Sequence, residues 1–309
     1  MKVKRLIPLL FICILSLMFS CEEDEPVIKV KSVTLSKTSL VLYVGSSEIL
    51  TTTITPSDAT IKNVEWKSNN TSVATVNSNG MVVAIKVGDA TITATTFDGN
   101  KTATCAITAQ QKNTFTDTRD GNVYDYVTIG TQVWMAENLS YLPIVVGPED
   151  GSITEPYYYV YNYDGNVVAD AKITNEYVAY GVLYNWPAAL TACPAGWHLP
   201  SDVEWATLTD YVGISTAGIF LKTIDGWNIE NNGTDKYGFS AMPGGSRFFS
   251  EVYGPYGFFD SQGSYGFWWS KNESNNVFAN RLLMGYHLTV TYSDDIKKDF
   301  GLSVRCLKD

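Results

Sequence analysis

Histidine is almost missing from this chain of 309 residues: His198 and His287 are the only two, far apart in sequence. His-Glu-x-x-His, Gly-x-Ser-x-Gly and phosphate-loop patterns are absent, so the usual zinc-protease, serine-hydrolase and nucleotide chemistries have no footing. Basic charge is scarce too, with 22 Lys+Arg against 32 Asp+Glu. Such an acidic protein is a poor partner for nucleic acid. Charged residues amount to only 17% while aromatics reach 13%, with 19 tyrosines and 8 tryptophans, a globular and not a disordered composition. The apolar stretch from Leu6 to Phe19 is too short and wrongly flanked for a membrane span.

That stretch follows Lys2, Lys4 and Arg5, which gives it the positive and hydrophobic regions of a secretion signal over residues 1–20. It ends Ser16-Leu-Met-Phe-Ser-Cys21, which resembles a bacterial lipobox, with Phe19 bulkier than the usual small residue. The resemblance implies a lipid on Cys21, whose several acyl chains would supply stable membrane anchoring. Glu22-Glu-Asp-Glu25, in an acidic linker over residues 21–26, resembles the export tag of surface lipoproteins in the Bacteroidetes; a plain solvated linker is the alternative. The implied location is the outer membrane, lipid-anchored and exposed at the cell surface. Without the three basic residues of the leader, 19 remain against 32 acidic ones, a formal charge of -13.

Residues 27–110 read as short strands separated by turns. Thr51–Thr55, Val73–Val76, Met81–Ala84 and Ala90–Thr95 are rich in β-branched residues, and Asn79-Gly80 and Asp98-Gly99 are hairpin-turn dipeptides. Regular spacing of this kind predicts an all-β sandwich, with Trp66 in its core. Leu42-Tyr-Val-Gly45, Val64-Glu-Trp-Lys-Ser68, Ser72-Val-Ala-Thr-Val76 and Gly88-Asp-Ala-Thr-Ile-Thr93, in that order, resemble the bacterial Ig-like group 2 domain. That resemblance implies a spacer or adhesive module.

After a linker at 111–114 the texture changes. Two helices are expected in residues 115–309: one from a cap at Asn185 to Cys193, with Pro187 in its first turn, and one opened by Ser201-Asp-Val-Glu204, a capping box, and closed at Gly213. The capping role outweighs a paired-carboxylate reading of Asp202 and Glu204. Leu302, Val304 and Cys306 alternate with Ser303 and Arg305 as in a half-buried strand. Cys193 at a helix end and Cys306 near the terminus suggest a disulfide clamp in an exported protein, which leaves Cys105 as a buried hydrophobe.

Ile129-Gly-Thr-Gln-Val-Trp134, Tyr180-Gly-Val-Leu-Tyr-Asn-Trp186, Cys193-Pro-Ala-Gly-Trp-His-Leu-Pro200, Trp268-Trp-Ser270 and Gly301-Leu-Ser-Val-Arg-Cys306 together resemble the Fibrobacter succinogenes major paralogous domain over roughly 115–309. Behind it lies a similarity to the C-type-lectin-like α+β fold, in which a helix cysteine pairs with the last strand. The sugar-chelating Glu-Pro-Asn, Gln-Pro-Asp and Trp-Asn-Asp motifs of calcium-dependent lectins are missing, and Asn162, Asp164 and Asn166 read as a turn and not a metal loop. No catalytic residue, metal or cofactor is expected. The nearest enzyme resemblance, to formylglycine-generating enzymes, requires reactive cysteines that the bridge would consume. His198 is expected to be a structural hydrogen-bonding residue.

Two aromatic stretches remain, Tyr157–Tyr163 and Phe248–Trp268. Tyr157, Tyr159, Tyr161, Phe258 and Phe259 are the candidate ligand-binding residues, because exposed rings offer flat faces to sugars or protein partners; a core role for these rings is the equal alternative. The expected protein is thus a lipid-anchored, non-enzymatic surface protein, an Ig-like spacer presenting a lectin-like head that binds glycan or protein. A structural subunit of a surface assembly is the second reading.

Overall fold

A computed structural model of the chain describes residues 27–228, 232–249, 257–286 and 292–309. Cys13, Cys21, the expected leader, His287, Tyr253 and Tyr256 lie outside them.

The first domain is a β-sandwich. One layer has the order Ser39–Tyr43, Thr102–Gln110, Gly88–Thr96, Val64–Ser68, its first pair parallel and the others antiparallel. The facing layer has the order Ser47–Ile49, Met81–Ala84, Ala74–Val76, and a ribbon pairs Ser32–Leu35 with Thr52–Thr55. Alternation along Gly88–Thr96 buries Ala90, Ile92 and Ala94, and the first two join Leu42, Leu50, Val82 and Ile107 in one core cluster. Cys105 is fully buried in this core, and its thiol is pushed up chiefly by that burial. Trp66 is only half-buried: it packs against the core's edge over the turn at Gly80. There φ is +79°, and a Cβ would come within 2.3 Å of the Leu50 carbonyl oxygen, so only glycine fits.

The head is mostly β-sheet with a few helices, and has two main sheets. The first runs Asn113–Thr116, Val123–Ile129, Gln132–Met135, Leu307–Lys308, Trp197–His198; the second runs Tyr158–Tyr159, Leu183–Tyr184, Leu302–Ser303, Tyr265–Glu273, Phe278–Gly285, Tyr292–Lys297. A hairpin of Ser246–Phe249 with Gly257–Asp260 stands beside them. The head's first strand, Asn113–Thr116, begins inside the segment expected to be linker, since Asn113 and Thr114 already pair with Tyr126 and Asp125.

Both expected helices form. Trp186–Ala192 is capped by the Asn185 side chain, and Asp202–Val212 by the full Ser201–Glu204 box. Three short helices, Val168–Lys172, Asn175–Tyr180 and Ala217–Leu221, escaped the sequence reading. Each has at most six residues, too few for a periodic signal. The terminal segment also differs from the half-buried strand expected: Leu302–Leu307 is buried on both faces, as two two-residue strands flanking a link at 304–306. Cys193 and Cys306 are disulfide-bonded across 113 residues. The bond pins the helix Trp186–Ala192 to the segment that joins both head sheets.

Trp134 stacks on Trp205 at 4.6 Å and meets Phe239 edge-on, with Trp268 and Leu208 in the same cluster. Trp269 belongs to the opposite cluster with Tyr184 and Leu302. Both tryptophans of the Trp268-Trp269 pair are therefore core. The two domains also touch. Ser47 N–H donates to Thr234 O at 2.7 Å, Tyr43 packs against Gly238, and buried Glu48 sits between Lys37 Nζ at 2.6 Å and Lys236 Nζ at 3.7 Å.

Candidate functional site

Of the five aromatic candidates one is fully buried and four are half-buried. Tyr159 is fully buried, against the expectation of a ligand contact: its ring lies 5.1 Å from the buried Arg247 guanidinium and its hydroxyl donates to Asp150 O at 2.8 Å. Burial pushes that phenol far up and leaves it uncharged. Tyr161 and Phe259 are half-buried and in ring contact at 5.2 Å, while Phe258 packs on Phe248 at 4.0 Å. Tyr157 is half-buried, and its backbone N–H donates to Asn185 Oδ1. Rings in a tight pair spend part of their faces on each other.

A cleft of about 350 Å³ opens elsewhere, between the strand Val123–Ile129, the segment after Gln132–Met135, the end of the helix Asn175–Tyr180, and residues 240–242. This lies within the size range of small-ligand sites. Its floor is Asn138, nine-tenths buried and fully engaged. Asn138 Oδ1 accepts from Trp268 Nε1 and Arg305 Nη2, both at 2.8 Å, and its amide nitrogen donates to Tyr180 O and Ser303 Oγ. Beneath it Arg305 is fully buried and donates to the carbonyls of Met135, Phe239 and Ser240. Burial works against its charge, while Glu137 and Asp235 support it.

The walls carry polar groups. Tyr124 OH and Ser140 Oγ are 2.9 Å apart and share Asn122. Lys112 Nζ donates to Ser240 Oγ at 2.6 Å, and that hydroxyl donates to Asp235 Oδ2 at 2.7 Å. Asp235 is buried, which raises its carboxyl to about 6 against the pull of Lys112 and Ser240. Glu137 stands at the mouth; burial of its carboxyl raises it, opposed by the Asp125 N–H, which donates to Oε2 at 3.2 Å. Gly181 lines the same space with φ +75°, where a Cβ would meet Leu139 O at 2.8 Å. Any side chain there would push the helix end away from the floor.

No local sequence pattern signals this cleft, because its walls come from positions 112, 137, 180 and 240. His198, by contrast, does what was expected. Its ring bridges Asp309 at 2.7 Å and the capping Glu204 at 3.0 Å, tying the chain end to the helix start. Among the described residues no group of three potential metal ligands occurs, and no helix is long and apolar enough to cross a membrane.

Sandwich, bridge and head sheets together define a two-domain protein of bacterial modules. The chain belongs to the Fibrobacter succinogenes major domain family, whose model matches residues 127–308, and the model of the bacterial Ig-like domain (group 2) matches residues 29–107. An uncharacterized protein of Clostridium acetobutylicum is 38% identical over 86 residues, 28% of this chain and 9% of that protein. An alpha-L-arabinofuranosidase of Bifidobacterium longum is 46% identical over 74 residues, 24% of this chain and 7% of that one. An Ig-like virion protein of Serratia phage KSP90 is 40% identical over 83 residues, 26% of this chain and 32% of that one. The chain spans less than a third of each of these relatives. The solved structure of surface layer protein SbsC, domains 1-6, aligns over 34% of this chain and 15% of that one with 17% identity and a TM-score of 0.25, too low to carry an argument.

Proposed function

We propose that this is a non-enzymatic, lipid-anchored cell-surface protein in which the Ig-like domain holds a ligand-binding head away from the membrane. One observation carries the binding part of this reading: a cross-braced head keeps an open polar cleft whose floor is saturated with internal hydrogen bonds while groups on its walls are not. A rigid floor with unsatisfied walls suits recognition, because little ordering entropy is lost when a ligand arrives. The lectin-like description of the head rests on the helix cysteine joined to the terminal segment and on the helix pair beside it. The anchoring part rests on the sequence around Cys21.

The test has two arms. Protease treatment of intact cells should remove the protein, and Cys21→Ser should abolish palmitate labelling and release it to the medium. The full chain should capture a glycan on an array or a protein in a pull-down. Retention inside intact cells would overturn the surface reading, and silence in both capture assays would overturn the binding reading.

A further inference from the structure

We infer that the cleft beneath Tyr180 is a binding site for a neutral, hydroxyl-rich saccharide unit, a deepening of the recognition role proposed above that rests on it. Three wall groups decide this. Among the described residues Lys112 Nζ makes one hydrogen bond, to Ser240, and of the three donors of an ammonium two are left for a ligand. Among the described residues Glu137 Oε1 accepts no hydrogen bond, while Oε2 takes the Asp125 N–H. The Tyr180 hydroxyl makes no hydrogen bond within the described chain. One donor-rich cation, one acceptor carboxylate and one phenol that can do either match sugar hydroxyls, which donate and accept at once.

Charge separates this ligand from the alternatives. Lys112 and the Arg305 beneath the floor are countered by Glu137 at the mouth and by Asp235, so the cleft offers an anion no net excess of positive charge. The formal charge of -10 on the whole chain adds a long-range repulsion against acidic polymers. A cationic ligand meets Lys112. A purely apolar one strips water from Glu137 Oε1 and from the remaining Lys112 donors without replacing it, which is costly. Val178 and Met242, on the same walls, supply apolar contact for a ring's C–H face.

Lys112 also ties the site to the junction: it lies just after the last Ig-like strand, Thr102–Gln110, and before the first head strand. The Ig-like domain therefore helps fix one wall of the cleft.

The experiment is titration calorimetry of the full chain with neutral hexose and pentose oligosaccharides and, in parallel, with their uronic-acid counterparts. Tyr180→Phe, Glu137→Gln and Phe259→Ala variants accompany it, each checked for a native circular-dichroism spectrum. Tyr180→Phe keeps the ring and removes only the hydroxyl, so it stays informative if the other variants misfold. Binding of a neutral oligosaccharide, weakened about fivefold or more by Tyr180→Phe and Glu137→Gln and unchanged by Phe259→Ala, is expected. Binding lost only with Phe259→Ala, or confined to uronic-acid sugars, overturns this site and leaves the wider recognition role standing. Failure of every neutral oligosaccharide to bind overturns it as well, and a protein captured in the pull-down would then still support the wider role.

Discussion

Replacing Cys193 and Cys306 together by alanine removes a cross-link that closes a loop of 113 residues. In the chain-entropy model, loop closure on this scale restricts the unfolded ensemble by about 5 kcal/mol at 25 °C. The cross-linked segment is central: Leu302–Ser303 pairs in one head sheet and Leu307–Lys308 in the other, with Cys306 fully buried between them. Losing the link therefore frees the piece that holds both sheets together. Urea unfolding followed by tryptophan fluorescence reports the head well, since Trp134, Trp205, Trp268 and Trp269 are all buried there. The head transition of the double variant should move to lower urea by a stability loss of roughly 3 to 5 kcal/mol, allowing for structure retained in the unfolded chain. The Ig-like transition should stay in place, because its core has no cross-link. A loss below about 1 kcal/mol would refute the loop-closure reasoning. So would labelling of Cys193 or Cys306 by a thiol reagent in denaturant without reductant.

The pH dependence of stability should show Asp235. Its folded-state value of about 6 lies above the ordinary 3.8, so between those values the folded chain holds more protons than the unfolded one and stability falls as pH rises. The full effect is about 3 kcal/mol, and Asp235→Asn, which keeps an acceptor for the Ser240 N–H, should flatten urea midpoints across that window. A slope unchanged in the variant would assign the effect to another group. At the junction, Glu48→Ala leaves Lys37 and Lys236 without their shared carboxylate, and trypsin should then cut the segment 110–114 several-fold faster than in the unaltered chain. Equal cutting rates would mean that the backbone contact from Ser47 to Thr234 holds the domains by itself.

Local chemistry was legible in the sequence wherever one short stretch decides the outcome. The Ser201–Glu204 box, the Asn185 cap and the Asn79-Gly80 turn each need only residues within four positions of one another, and each forms as expected. The family-specific motifs placed both domains in the right order. What escaped depends on tertiary neighbours. Tyr157 to Tyr163 carries rings at five of seven positions, a pattern that fits core and surface equally; Arg247 overhead decides that Tyr159 is core. Arg305 looked like the polar face of a terminal strand, yet four hydrogen bonds from its guanidinium to Met135, Phe239, Asn138 and Ser240 make its burial tolerable. The cleft is legible only once these distant segments meet.

The recognition account is tested most directly by locating a bound sugar. Neutral oligosaccharides that the full chain retains, tagged with a photoreactive diazirine, would be cross-linked to it and the adducts mapped by peptide mass spectrometry. Adducts on peptides containing Glu137 and Tyr180 are the expected result. Adducts confined to the hairpin of Ser246–Phe249 and Gly257–Asp260, or to the Ig-like domain, would contradict it.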